Sequence, residues 1–350
     1  MKTKIKKITV NASKSYDILI GNGLLDKIGE IFKERFSVKK IAVITDDKVD
    51  GLYGEKVVNS LEQNGFSTCK FVFPNGEKSK DIATYAKILN FLAQSQITRT
   101  DLIVALGGGV VGDITGFSAS TFNRGVPFVQ VPTTLLSQID SSVGGKTAID
   151  LEAGKNLVGA FYQPSLVLCD IDALKSLSKE DYACGMGEGA KYAILDKKVY
   201  ELINGDFDLL EFVYLCIDYK RRIVEEDEFE RGNRKLLNLG HTMAHGIEKL
   251  SGYTISHGVA VSMGLKIILE TSKKHGFIDQ ETFDNCIKTM KLCVGEDLDL
   301  TCPYEISDLI KVALHDKKRD GDFISVVMVK DIENCTIEKI EISKLTEYFL

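Results

Sequence analysis

Three of the chain's five histidines lie close together, in Asn238-Leu239-Gly240-His241-Thr242-Met243-Ala244-His245-Gly246 and Ser256-His257-Gly258. His241 and His245 stand four apart, which puts them on one face of a helix. The spacing is close to His-Glu-x-x-His, but Thr242 stands where that motif has its glutamate, so the base of a metalloprotease is missing. A catalytic zinc takes three protein ligands and keeps one position open. Two histidines and one carboxylate meet that need, and His257 opens a following helical stretch that can fold back beside the other two. Glu188, set among small residues in Gly185-Met186-Gly187-Glu188-Gly189-Ala190-Lys191, is the candidate carboxylate.

Charge is dense just upstream, in Lys220-Arg221-Arg222 and Glu230-Arg231-Gly232-Asn233-Arg234-Lys235. On one continuous helix Arg234, Asn238 and His241 share a face, which would set a guanidinium and an amide beside a metal ligand. Lys220 reaches that face only through tertiary folding. A second basic set lies in the run from Asp140 to Thr147 and in Gly154-Lys155-Asn156. Gly144-Gly145-Lys146-Thr147 invites the P-loop reading, but that motif needs a glycine where Asp140 stands. What remains is Lys146 and Lys155 in glycine-flexed turns rich in hydroxyls and amides, a composition suited to an anion.

A third set suits a nucleotide. Gly107-Gly108-Gly109-Val110-Val111-Gly112-Asp113 follows the apolar run Leu102–Leu106 and opens a helical stretch, so free N–H groups can face a pyrophosphate. Asp46 ends the run Lys40–Thr45, where an acid can accept ribose hydroxyls. Pro74-Asn75-Gly76-Glu77-Lys78-Ser79-Lys80 follows another strand at the same sheet edge.

The elements that must carry these groups divide in two. In the first half, continuous apolar strands alternate with amphipathic helices, after a hairpin of Ile5–Val10 and Tyr16–Ile20. That pattern predicts a parallel sheet covered on both faces, a Rossmann-like α/β nucleotide-binding domain over residues 1–164. From 165 to 350 long helical periods dominate, including Lys179–Leu195, Phe207–Glu226, Arg234–Leu250 and His257–His275. Only Ile324–Val329 and Thr336–Ile342 read as strands, which predicts a mostly α-helical domain for metal and substrate. With 44 basic and 50 acidic residues the net charge is −6, which disfavours nucleic acid as a partner. No apolar run reaches the roughly 18 residues of a membrane helix, and the N-terminus lacks a signal peptide's apolar core. The eight cysteines form no Cys-x-x-Cys pair and read as reduced thiols. A cytoplasmic protein is expected.

Taken together, Pro74–Lys80, Leu106–Asp113, Phe122–Asp150, Gly154–Pro164, Asp227–Glu248 and His257–Gly264 resemble, in order and spacing, the 3-dehydroquinate synthases of the shikimate pathway, within the sugar phosphate cyclases. The resemblance implies a homodimeric carbon–oxygen lyase with its active site in a cleft between the two domains. It implies a divalent metal, zinc or cobalt, on Glu188, His241 and His257, with His245 left as a polar catalytic residue near the substrate phosphate. NAD contacts are implied for Asp46, Asn75, Gly76, Glu77, Lys78, Ser79, Lys80, Gly109, Val110, Val111, Gly112, Asp113, Thr133, Thr134, Lys146, Lys155, Ala173, Leu174, Lys175 and Ser176. The substrate, a phosphorylated sugar acid, would meet Lys220 and Arg234 through its carboxylate. Its phosphate would meet Lys146, Asn156, Asn238 and His245, with Arg124 from the partner subunit. Asp140, Glu230 and Lys317 complete the implied set.

The family's chemistry turns 3-deoxy-D-arabino-heptulosonate 7-phosphate into 3-dehydroquinate. NAD oxidises the C5 hydroxyl, the ketone acidifies the neighbouring C–H, phosphate leaves by β-elimination, and the hydride returns before ring opening and aldol closure. Metal would polarise the C5 oxygen, and NAD would be regenerated. Three alternatives stand beside this. A metal-dependent polyol or alcohol dehydrogenase would accumulate NADH. Another sugar phosphate cyclase would need no clamp from Lys220 and Arg234. A non-enzymatic nucleotide-binding module would need no metal ligands. The chain departs from the family's Ala-Glu-Val-Ile-Lys at Gly187-Glu188-Gly189-Ala190-Lys191, and from its Thr-Leu-Pro-x-Arg-Glu at residues 176–181.

Overall fold

The computed structural model describes residues 5–316 and 322–350. Lys317, expected to reach the substrate, lies outside them. The chain forms two compact units, Met1–Leu177 and Ser178–Leu350.

The first unit is built on a seven-stranded sheet in the order β1-β2-β9-β6-β5-β3-β4. β1 (Lys6–Asn11) and β2 (Ser15–Gly21) are the expected antiparallel hairpin. Helix α1 (Ile28–Arg35) leads to β3 (Lys40–Asp46), and a short turn of helix α2 (Asp47–Val49) continues through a wider turn into α3 (Glu55–Gln63). Then come β4 (Ser67–Phe73), α4 (Ile82–Gln94), β5 (Leu102–Gly107), α5 (Gly109–Thr121) and β6 (Phe128–Pro132). β3, β4, β5, β6 and β9 (Leu166–Asp170) pair in parallel, and β2 joins β9 the same way. Alternate residues of β3 serve opposite faces, as a pleated strand requires. Ile41 and Val43 pack with Ile28, Phe32, Val57 and Leu61. Ala42 and Ile44 pack with Ile88, Leu92, Ile114 and Phe117 on the other side. Both faces are therefore dry, which is why these strands read as unbroken apolar runs.

Two sequence expectations change here. The first unit runs past residue 164, because β9 is a fully buried strand locked between β2 and β6. The glycine-rich stretch bearing Lys146 and Lys155 is not a pair of turns. It forms an antiparallel hairpin, β7 (Lys146–Leu151) and β8 (Gly154–Phe161), with Lys146 opposite Phe161. Gly159 belongs there for contact: a Cβ on it would lie 2.2 Å from the Thr147 carbonyl oxygen.

The second unit is mostly helical: α6 (Lys179–Leu195), α7 (Lys197–Asn204), α8 (Leu209–Glu226), α9 (His241–Leu250), α10 (His257–Lys274), α11 (Gln280–Val294) and α12 (Ile306–Asp316). A hairpin of β10 (Phe323–Asp331) and β11 (Asn334–Glu341) and a last helix α13 (Leu345–Phe349) follow. α6 starts where Ser178 Oγ accepts the Asp181 N–H at 3.0 Å. α10 packs against both α6 and α9 and buries Val261, Leu265, Ile268 and Leu269. The helix expected over Arg234–Leu250 is broken. Asn233–Asn238 is a 3-10 turn, and Gly240 takes φ +79° before α9 begins. α10 forces the break by its closeness: a Cβ on Gly264 would lie 2.3 Å from the Gly240 carbonyl oxygen. Arg234 and Asn238 therefore do not share a helical face with His241.

Candidate functional site

In the second unit the middle of one helix and the starts of two others converge. Glu188 comes from the middle of α6, His241 from the start of α9 and His257 from the start of α10. His241 Nε2 lies 3.1 Å and His257 Nε2 lies 2.9 Å from Glu188 Oε1. One ligand atom from each residue falls within 4.8 Å of the others. Two glycines set this spacing. A Cβ on Gly187 would meet the Gly258 carbonyl oxygen at 2.1 Å, and one on Gly258 would meet that of Cys184 at 1.8 Å. The residues beside Glu188 and His257 thus let the two helix backbones touch. Gly189, another departure from the family pattern, leaves room for the Phe212 ring, 2.6 Å from a Cβ placed there.

The partners of the rings decide what the cluster can hold. His241 Nδ1 is 3.1 Å from the Leu239 carbonyl oxygen, which only accepts, so Nδ1 carries a proton. His257 Nδ1 faces Glu248 Oε2 at 3.3 Å, with the same consequence. Both Nε2 atoms are left to bind a proton or a cation opposite a carboxylate. This is how metal-binding histidines are oriented by a carbonyl or carboxylate behind them, and the donor set of two imidazoles and one carboxylate suits zinc or cobalt. Burial works against charge on Glu188, but the Lys191 ammonium, 2.5 Å from Oε2, and His241 hold its carboxyl well below the usual range. Burial likewise opposes protonation of His257, yet Glu188 and Glu248 push it up to about 10. His245 is outside the cluster; its ring stands edge-on to His241 with centroids 5.8 Å apart.

In the first unit the chain runs from β3 outward to β4 and then returns to β5 on the other side of β3. Ligands of open α/β sheets bind beyond the carboxyl ends at such a reversal. Asp46 and the glycine loop end the two strands concerned. Gly108 is the N-cap of α5, and the N–H groups of Gly109, Val110 and Val111 precede the first intrahelical bond, from Gly112 to Gly108 at 3.0 Å. A helix start of this kind suits an anion. Thr133 donates its N–H to the Gly107 carbonyl at 3.0 Å, and Thr134 lies against Gly108. Asp46 is fixed by capping α2, accepting the Val49 N–H at 2.8 Å. Asp47 ties down the next loop, accepting from both the backbone and the amide of Asn75.

That loop, Gly76 to Lys80, is joined to the hairpin of β7 and β8. Lys80 Nζ reaches Asp113 Oδ2 at 2.6 Å and Asn156 Oδ1 at 2.5 Å, while Lys155 faces Glu77 at 3.6 Å. Asp150 accepts the Asn156 N–H and donates its own N–H to the Lys80 carbonyl. Ala173, Leu174, Lys175 and Ser176 form a 3-10 turn, where the Tyr53 hydroxyl contacts Ser176 Oγ at 2.6 Å and the Ala173 carbonyl at 3.0 Å. Lys175 pairs with Asp172. Most residues expected at the nucleotide are thus gathered within one unit around one sheet edge. Lys146, Asn156, Arg124 and Asp140 belong to the first unit, and Lys220, Glu230, Arg234, Asn238 and His245 to the second.

Sequence comparison decides the family. Residues 70–184 match the pattern of the 3-dehydroquinate synthase N-terminal region, and residues 185–319 that of the C-terminal region. The chain belongs to the 3-dehydroquinate synthase family. A 3-dehydroquinate synthase of Clostridium acetobutylicum is 42% identical over 95% of this chain and 96% of its own. One of Streptococcus thermophilus is 41% identical over 98% and 99%. Among solved structures, 2-deoxy-scyllo-inosose synthase with carbaglucose-6-phosphate, NAD+ and Co2+ superposes with a TM-score of 0.86 at 22% identity, covering 99% of both chains. The 2-epi-5-epi-valiolone synthase of Streptomyces hygroscopicus, with NAD+ and Zn2+, gives 0.85 at 22% identity over 98% of both. A glycerol dehydrogenase of Schizosaccharomyces pombe gives 0.64 at 17% identity, covering 100% of this chain and 91% of its own. Those likenesses establish the fold that the family shares with sugar phosphate cyclases and polyol dehydrogenases.

For a member of the synthase family two site residues escape a reading of the sequence. Lys191, fully buried against Glu188, is signalled only by its i, i+3 spacing on α6. Glu248, behind His257, has no local signal, since nine residues and a turn separate them. No helix among the described residues is long and apolar enough to cross a membrane.

Proposed function

We propose that this protein is a phosphate-eliminating cyclase that converts 3-deoxy-D-arabino-heptulosonate 7-phosphate into 3-dehydroquinate and phosphate. The observation that carries the reading is the convergence of Glu188, His241 and His257 in a chain that also has a nucleotide-binding sheet edge. The 3-dehydroquinate synthases that match it over nearly their whole length support 3-dehydroquinate as the product, and the family resemblance implies the substrate. When bound, NAD supplies a reversible hydride acceptor, and a divalent cation on those three residues supplies Lewis acidity toward a substrate oxygen.

The chain's own residues do the rest. Glu248 and the Leu239 carbonyl hold the Nδ1 protons of His257 and His241, which aims both Nε2 atoms at the ligand position. Lys191 keeps Glu188 ionised. Gly109, Val110 and Val111 offer N–H groups to the NAD pyrophosphate, and Asp46 accepts from a ribose. Lys220 and Arg234 bind the substrate carboxylate. Lys146, Asn156, Asn238 and His245 take its phosphate and stabilise the charge it carries away. Asn156 Oδ1 is held by Lys80, so its amide nitrogen is the donor it offers. Arg124 is supplied by a second copy of the chain, which is homodimeric and cytoplasmic. It sits in an exposed turn where Asn123, Arg124 and Gly125 all take positive φ.

The test is to supply the heptulosonate phosphate with NAD well below the substrate concentration, while following phosphate and NADH absorbance together. Phosphate in excess of NAD, with no NADH build-up, is expected. NADH formed one-for-one with product would establish a polyol dehydrogenase instead. Turnover of an uncarboxylated sugar phosphate alone would establish a different cyclase.

A further inference from the structure

The segment between α8 and the Asn233–Asn238 turn is organised by a residue that nothing above assigns to the site. Asp227 ends α8, donating its N–H to the Ile223 carbonyl at 3.0 Å. Its carboxylate then collects three backbone N–H groups: Arg231 at 2.9 Å on Oδ1, and Gly232 at 2.7 Å and Arg234 at 3.1 Å on Oδ2. Inside that loop Glu230 takes φ +58°, a conformation that a residue with a side chain holds only when its surroundings impose it. Glu230 Oε1 accepts the Asn238 amide at 2.6 Å, and the Arg234 guanidinium donates to the Glu228 carbonyl. Arg234 is 1% exposed, so its direction is set by the loop and not by solvent.

We propose that Asp227 is a positioning residue for anion recognition: by gathering the N–H groups of Arg231, Gly232 and Arg234 it shapes the loop that aims Arg234 and Asn238 at the substrate. Asp227 itself touches no substrate. The inference rests on the substrate reading above for what Arg234 and Asn238 bind. It adds that their orientation depends on a carboxylate at the end of the preceding helix. Asparagine is nearly isosteric there, but its Nδ2 cannot accept, so at least one of the three N–H groups loses its partner.

The test compares Asp227→Asn, Arg234→Ala and the double variant, with thermal melting, metal content and NAD affinity as controls. Asp227→Asn is expected to raise KM for the heptulosonate phosphate about 10- to 100-fold, the effect of losing a charged-group hydrogen bond. It should leave metal content and NAD affinity within about twofold of the wild type. The double variant should lose less than the two single losses combined, because the part of the Asp227→Asn effect that acts through Arg234 is already gone. Amide exchange at Arg231, Gly232 and Arg234 should accelerate in Asp227→Asn. Should that variant not fold, Asp227→Glu, which keeps the charge but displaces both oxygens, carries the same comparison. An unchanged substrate KM, a loss that adds in full to that of Arg234→Ala, or unaltered exchange at those three amides would overturn the proposal. Accelerated exchange together with a normal substrate KM in Arg234→Ala would overturn the substrate reading and leave the loop's dependence on Asp227 standing.

Discussion

At the scale of single residues, the metal cluster is a problem of proton placement. Three ligand atoms face one another within 4.8 Å, and without a cation the imidazolium of His257 is what reconciles them with Glu188. Glu248→Gln should therefore matter although it touches no ligand position. Loss of an outer carboxylate of this kind costs about 10- to 100-fold in metal affinity, measurable by competition with a chromophoric chelator. His257→Ala should lose metal altogether, since two protein ligands hold zinc weakly; full metal content in that variant would remove His257 from the site. The pH dependence has opposite signs with and without metal. In stripped protein the pKa of His257 is raised from 6.5 to about 10 by Glu188 and Glu248. A raised pKa contributes stability that is complete below about 6.5 and lost as pH climbs through about 10. The melting temperature of stripped protein should fall across that window. Metal competes with the same Nε2 proton, so its affinity should rise with pH. A flat melting profile for stripped protein would mean that His257 is neutral there.

At the scale of elements, the site depends on how closely helices approach. Glu188 and His257 are brought together because Gly187 and Gly258 let α6 and α10 touch through their backbones. Gly258→Ala places a methyl 1.8 Å from the Cys184 carbonyl oxygen, so the helices must part. Overpacking of this kind costs about 1–3 kcal/mol. The variant should melt lower and bind metal more weakly than wild type, and unchanged metal affinity would show that the crossing does not set the ligand spacing. These glycines also mark where sequence reading succeeds and fails. Lys179–Leu195 is legible to the residue, because Ser178 caps its start and no proline interrupts it before Asp196. Arg234–Leu250 is not, because the period continues across Gly240 while the packing of Gly264 forbids the helix to do so. The hairpin of β7 and β8 hides for a related reason. Its glycines, lysines and hydroxyls erase the alternation that announces a strand. The domain boundary near Pro164 follows a change in period, whereas β9 is held in the first sheet by pairing partners far away in the chain. The grouping of Glu188, His241 and His257 is legible because metal chemistry restricts candidate ligands to few residue types. Lys191 and Glu248 are not, since lysine and glutamate are common on any helix surface.

At the scale of the whole molecule, Lys155 and Arg234 fall in different units, and on the reading proposed above they serve different anions, so their roles should be separable by mutation. Lys155 lies in the first unit, at the hairpin, and faces Glu77 at 3.6 Å, with both side chains about a third or more exposed. Such a pair contributes little to stability, so Lys155→Ala should fold normally and reveal its ligand role cleanly, as a weaker affinity for NAD. Arg234 lies in the second unit, buried, with a guanidinium geometry that suits a carboxylate through two parallel hydrogen bonds. Removing a charge-assisted contact of that kind costs about 2–4 kcal/mol, roughly 30- to 1000-fold. Arg234→Ala should lower kcat/KM for the heptulosonate phosphate by that order and leave NAD affinity nearly unchanged, with a melting curve to set aside the cost of emptying a buried position. A substrate analogue without the carboxylate sharpens the comparison. It should bind wild type poorly and lose little more in Arg234→Ala, because the group that Arg234 serves is already gone. If both variants lost NAD equally, the two units would not divide the ligands in this way. If the analogue bound wild type as well as the substrate does, the carboxylate would not be the group that Arg234 reads, and a cyclase acting on an uncarboxylated sugar phosphate would become the better account of the same fold and metal cluster.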